Sequence, residues 1–240
     1  MGRGRFGIAH AKPGCSHNRV RPLRGAVTLV ASFSIALVGC GGDDNGASPA
    51  SLKSHLLPAS DVPGYKVERE LSWDNAIDFT AEGLQLPEST PPSRAVKVFE
   101  DAGFEAGVGE RLVVAEGNRF EAPPANVDVV QFGSDDGARD ALDYVRKEAL
   151  KQPCFAVCSV EGRAFEVRGI PGAKGVQLTP LRQPPPDAPP PFEAYGVGFT
   201  IGPRLYLTNS DGPPGQVKKS RVLGTAKKLY ERNARSDAST

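Results

Sequence analysis

Fifteen consecutive residues without a charge, Gly25 to Gly39 (GAVTLVASFSIALVG), constrain this chain more than any other stretch. A bilayer-spanning helix needs roughly 20 apolar residues, and this run is shorter. Its length matches the apolar core of a secretory signal, with Arg19, Arg21 and Arg24 as the positive flank. Residues 1–39 are therefore set aside from the fold as a signal peptide. They hold six basic residues and no acid, so the 201 residues from Cys40 onward carry a net charge of −5, against +1 for the whole chain. A mildly acidic body is a poor ligand for nucleic acid, and none is expected as a partner. His55 is the only histidine of that body, too few for a multi-histidine metal site, so no metal and no cofactor are expected. Met1 is the only methionine, and Val20 opens a more usual positive flank, which makes Val20 the expected translation start.

The apolar run closes on Leu37-Val38-Gly39-Cys40 and is followed by the polar GGDDNG of residues 41–46. This ending resembles the lipobox of bacterial lipoproteins. The resemblance implies a diacylglycerol joined to the Cys40 sulfur by a thioether, and cleavage of the signal just before it. Small residues let the backbone reach a peptidase, and the thiol lies at the membrane surface where its lipid donor is. Two acyl chains anchor stably where one is marginal, at about 0.8 kcal/mol per buried methylene. The expected location is the extracytoplasmic side of the cell membrane, and the expected partner is that membrane.

Residues 40–51 read as a flexible tether and 52–235 as one extracytoplasmic domain. Within it, 56–65 predicts a short helical turn and 66–72 a strand, while 74–92 lacks periodicity and reads as loop. A helix is predicted over 94–102, with Ser93 as cap and Gly103 as stop. Strands follow at 107–116 and 127–132. Ser134 caps the clearest helix, 135–151, where Ala138, Ala141, Leu142, Val145 and Ala149 recur at helical spacing. Further strands are predicted at 164–168, 176–179, 194–201 and 204–209, the last two joined by Gly202-Pro203, and a final helix at 216–232. Strands interrupted by three amphipathic helices indicate an α+β fold, an antiparallel sheet covered by helices. The proline-rich 182–191 reads as a stiff connection between strands.

Cys154 and Cys158 lie in a compartment where thiols oxidise, and their spacing across three residues suits a small structural disulfide. A thioredoxin-type pair uses Cys-x-x-Cys at a helix start, and zinc needs four ligands. No Gly-x-Ser-x-Gly, His-Glu-x-x-His or phosphate-cradling Gly-Lys-Ser/Thr motif is present, so no enzyme is expected. His55 reads as a solvated residue beside the tether, and Tyr65, Trp73 and Phe79 as core. One apolar surface stands out. Tyr195, Val197, Phe199, Leu205 and Leu207 of the last hairpin, opposed by Val222, Ala226 and Leu229 of the last helix, either pack as core or line a cavity of roughly 300–1,000 Å³ for a lipid.

With the lipobox, the segments Leu56-Leu-Pro-Ala-Ser-Asp-Val-Pro-Gly-Tyr65, Val127-Asp-Val-Val-Gln-Phe132 and Gly169-Ile-Pro-Gly172 make the chain resemble uncharacterised lipoproteins of high-GC Gram-positive bacteria. In its strand–helix–cysteine order it is also similar to secreted sensor-type domains of that group. Those domains usually carry two disulfides, where this body has cysteines for one. The resemblance implies a membrane-anchored, non-enzymatic binding or envelope-associated module. The alternatives are a carrier of an apolar ligand and a hydrolase whose acid pair or serine escapes motif reading.

Overall fold

The computed structural model describes residues 47–62, 64–84, 92–115, 123–151, 160–181 and 190–237. Seven strands form one sheet: β1 (Tyr65–Trp73), β2 (Phe104–Val114), β3 (Ala125–Phe132), β4 (Val160–Phe165), β5 (Lys174–Pro180), β6 (Glu193–Ile201) and β7 (Arg204–Gly212). Their order across the sheet is β1-β2-β3-β7-β6-β5-β4, and every pair is antiparallel. Two meanders thus meet where β3 pairs with β7. The helix α4 (Asp135–Leu150) carries the chain from the centre to the far edge. The α+β architecture expected from the sequence is the one observed.

Helices cover both faces. On one lie α2 (Ala76–Asp78), α3 (Pro92–Asp101) and α4, packed over Leu71, Trp73, Val130, Phe132, Leu205 and Leu207. On the other, α1 (Pro49–Leu52), the turns that follow it and α5 (Lys219–Asp237) bury Val108, Val127, Val129, Val197, Phe199 and Tyr206. A central strand covered on both sides must be apolar on both sides. β3 satisfies this with Val127 and Val129 toward one layer and Val130 and Phe132 toward the other.

Local chemistry accounts for the helix ends. Ser134 accepts a hydrogen bond from the Gly137 amide at 3.1 Å, the cap expected of it. At the other end of the preceding helix, Gly103 takes φ +78°, which lets the chain turn back into β2. Helix α3 begins at Pro92, whose missing amide hydrogen costs nothing at a first turn, so Ser93 lies inside the helix rather than capping it.

Several boundaries differ from expectation: β2 begins at Phe104 rather than 107, β7 runs on to Gly212, and the last helix spans Lys219–Asp237 rather than 216–232. The stretch read as loop at 74–92 holds α2 and a wider turn, Phe79–Gly83. Asn75 starts it by accepting from the Asp78 amide at 2.9 Å, and Phe79 is driven in to pack 5.1 Å from Trp73 and 5.3 Å from Phe99. The segment assigned to the tether up to residue 51 contains most of α1, capped by Ser48, because Leu52 buries against the sheet. Strand β4 starts four residues earlier than read, at Val160, which is wholly buried.

Candidate functional site

The apolar surface read from the last hairpin divides between the two layers. The two-residue turn pairs Ile201 with Arg204 and Phe199 with Tyr206, so odd positions on β6 face the same way as even positions on β7. Tyr195, Val197 and Phe199 therefore meet Val222, Ala226 and Leu229 of α5. Leu205 and Leu207 point through to the α4 layer. The eight residues do not form one lining; Tyr206 takes the place assigned to the two leucines. Its ring stacks on Phe199 at 5.0 Å and 6°, and Tyr230 meets Phe199 edge-on at 5.8 Å. Phe199, Ala226 and Leu229 have no exposed surface, so they interdigitate as core. Tyr195 is held at the end of this layer. Its hydroxyl donates to Glu193 at 2.8 Å and accepts from Gln177 at 2.9 Å; burial, then the Glu193 hydrogen bond, push its ionisation up to about 12.

Charge enters the opposite layer between β2 and β3. Asp128 on β3 lies across from Gly109 on β2, where a Cβ would overlap the Asp128 carboxylate and sit 2.7 Å from the Trp73 ring. Into this gap Arg111 sends its guanidinium, 2.6 Å from Asp128 Oδ1. Its second terminal nitrogen approaches the carbonyls of Glu82 and Gly83 at 3.4 and 3.5 Å, tying the turn after α2 to the sheet. Burial pushes the Asp128 carboxyl up to about 6, against the charge and hydrogen bond of Arg111. The pair is enclosed, with side-chain exposures of 16% for Arg111 and 2% for Asp128, and is a structural clamp.

A second charged group lines a hollow on the α5 side of β1 and β2. Glu70 and Glu110 are cross-strand neighbours, and Lys53 donates to Glu70 at 2.7 Å. Burial, then the Glu70 charge, raise the Glu110 carboxyl. Leu56 and Val108 complete the walls. The hollow measures about 100 Å³, below the roughly 300 Å³ at which small-molecule sites begin.

The N-terminal segment and α5 are sewn together beside this hollow. Asn233, 2% exposed, donates to the carbonyls of His55 at 3.0 Å and Leu229 at 2.8 Å, and its side-chain oxygen lies 2.7 Å from His55 Nδ1. Lys228 donates to the Asp61 carbonyl at 2.8 Å, Arg232 to that of Ser54 at 3.3 Å, and Arg221 to the Tyr65 hydroxyl at 2.8 Å. His55 is thus a half-buried tie rather than a solvated side chain. Tyr65, Trp73 and Phe79 are core, as expected, though Tyr65 lies on the opposite layer from the other two. The cation spacing on α5 was visible in the sequence; its partners depend on tertiary packing.

Cys40, Cys154, Cys158 and residues 182–189 of the proline-rich stretch lie outside the described residues. Among the described residues, no group of three or more His, Cys, Asp or Glu side chains is arranged to hold a metal ion, and no helix is long and apolar enough to cross a membrane.

No protein-family model matches the chain, and no curated protein matches it in sequence. The fold is similar to the crystal structure of the extracellular domain of PknH from Mycobacterium tuberculosis. That similarity has a TM-score of 0.50 at 17% identity and covers 79% of this chain and 98% of that one. At this identity the likeness establishes a shared fold.

Proposed function

We propose that this chain is an extracytoplasmic lipoprotein, held at the cell membrane by a diacylglycerol on Cys40, and that its α+β body is a non-enzymatic binding or envelope-associated module. The observation that carries the reading is the Leu37-Val-Gly-Cys40 ending of an uncharged run behind an arginine-rich flank. Two structural features support it. The body has the fold of a domain that is extracellular in another protein, and the two charged groups described above, the Arg111–Asp128 clamp and the hollow beside Glu110, give a substrate little room. The same compartment leads us to propose a Cys154–Cys158 disulfide.

The test is metabolic labelling with a radioactive fatty acid, comparing the parent chain with Cys40→Ser. The parent should take up label and migrate as the processed form; the variant should take up none and accumulate as a larger precursor. Equal label and equal mobility would overturn the assignment. In the unreduced mature protein, the peptide spanning Cys154 and Cys158 should be lighter by two hydrogens, and free thiols there would remove the disulfide.

A further inference from the structure

Charge on the body is segregated. Helix α5 carries six cations and two acids, a net +4, whereas the rest of the chain from Cys40 onward carries −9. At 3.6 residues per turn, Arg221, Lys228, Arg232 and Arg235 fall within an arc of roughly 60°. All four are exposed, and the arc lies apart from the buried line of Val222, Ala226, Leu229 and Asn233. Arg221, Lys228 and Arg232 donate to neutral oxygens, a tyrosine hydroxyl and two backbone carbonyls, so these bonds orient the cations without neutralising them.

The oxygens of Ser54 and Asp61 belong to the segment by which the chain enters the body. Between Ala47 and His55, which is tied to α5 through Asn233, the backbone is almost entirely helical, a span of roughly 15–20 Å. Between Cys40 and Ala47 lie seven residue steps, at most about 25 Å when extended. Together these spans bound the distance from Cys40 to the His55–Asn233 tie at about 45 Å, which keeps the α5 stripe at high local concentration over the bilayer.

We infer that the cationic stripe of α5 rests on the anionic phospholipid headgroups of the membrane that holds the Cys40 lipid. The inference deepens the tethering proposed above and depends on it for delivery. Each Lys or Arg near an anionic surface contributes about a five-fold factor in affinity, and this attraction fades within a Debye length of about 8 Å. A tether that keeps the stripe near the headgroups makes such weak contacts effective, because the second binding event becomes intramolecular. Docking by this face turns the α2–α3–α4 layer outward, toward whatever the module meets.

The experiment uses the full chain isolated from a lipidating bacterial host. It is mixed with vesicles of phosphatidylcholine alone, or of phosphatidylcholine with phosphatidylglycerol. Flotation reads the tether, and the acetylation rate of Lys228 reads docking, with Lys97 of α3 as the outward-facing control. Flotation with both vesicle types, and Lys228 labelled several-fold more slowly on the anionic vesicles only, is the expected result. That protection should vanish at high salt and be largely lost in each of Arg221→Gln and Arg232→Gln, each removing about a five-fold factor in affinity, with Lys97 unchanged. Flotation with both types but equal Lys228 rates would overturn docking while leaving the tether intact. Flotation with anionic vesicles alone would uphold docking and remove the tether, and flotation with neither would remove both.

Discussion

Arg111→Met is the most informative single change in the body. Methionine keeps much of the aliphatic stem but removes the guanidinium that faces Asp128 Oδ1 at 2.6 Å and approaches the Glu82 and Gly83 carbonyls. At pH 8 the variant must bury an uncompensated carboxylate, so it should lose about 3–5 kcal/mol. In the parent chain Asp128 already binds its proton more tightly folded than unfolded, since its carboxyl is raised to about 6 from an ordinary 3.8. Between those values the folded state holds more protons, so this group makes stability fall as pH rises through the window, by about 3 kcal/mol in all. Glu110 and Asp211, both raised chiefly by burial, act with the same sign. The difference between parent and variant isolates Asp128. Without Arg111 its carboxyl rises further, and at pH 5 the proton is already in place. The cost of Arg111→Met should then shrink to about 1–2 kcal/mol, the value of the lost hydrogen bonds. Urea unfolding at the two pH values measures it, with the fluorescence of Trp73, the only tryptophan, as a probe set against Gly109 beside the pair. A cost that is the same at pH 8 and pH 5, or below 1 kcal/mol at pH 8, would refute the clamp.

Other perturbations test the packing. Phe199→Ala should cost about 3–5 kcal/mol in urea unfolding, because its ring is enclosed by Tyr206 and Tyr230; a loss below 1 kcal/mol, with lipid bound by the parent, would restore the cavity reading. Gly137→Ala, which by helix propensity alone should stabilise α4 by up to about 1 kcal/mol, should instead lower the melting temperature, since the new methyl would overlap the Ala102 carbonyl. Asn233→Ala strips hydrogen bonds from two buried-side carbonyls and should cost about 1–3 kcal/mol; amide exchange should quicken across residues 47–61, and an unchanged exchange rate there would deny that Asn233 fastens the N-terminal segment.

Much of the fold was legible because its causes are local. Ser134 caps α4, and the alanines at helical spacing place its buried side, whatever the rest of the chain does. Gly202-Pro203 marks the hairpin turn. The errors arose where a local pattern was ambiguous or its direction depended on a neighbour. Alternation along β7 was visible, but which parity faced α5 was not. That follows from a turn of two residues pairing Phe199 with Tyr206, and a shift of one residue exchanges the two layers. Asn75 followed three residues later by Asp78 is a readable cap, yet α2 forms because Phe79 finds Trp73, Phe99 and Phe104 around it.

The sequence by itself determined the signal-like leader, the α+β composition and the number of strands, since each depends on residue types at short, regular spacing. Tertiary structure alone decided that β3 pairs with β7, that Arg111 closes on Asp128, that Glu70 lies beside Glu110 and that Asn233 grips His55. Those contacts join residues separated by 17 to 178 positions, 40 for the two glutamates. No short window contains both partners, and the pairing is selected by how whole faces bury together.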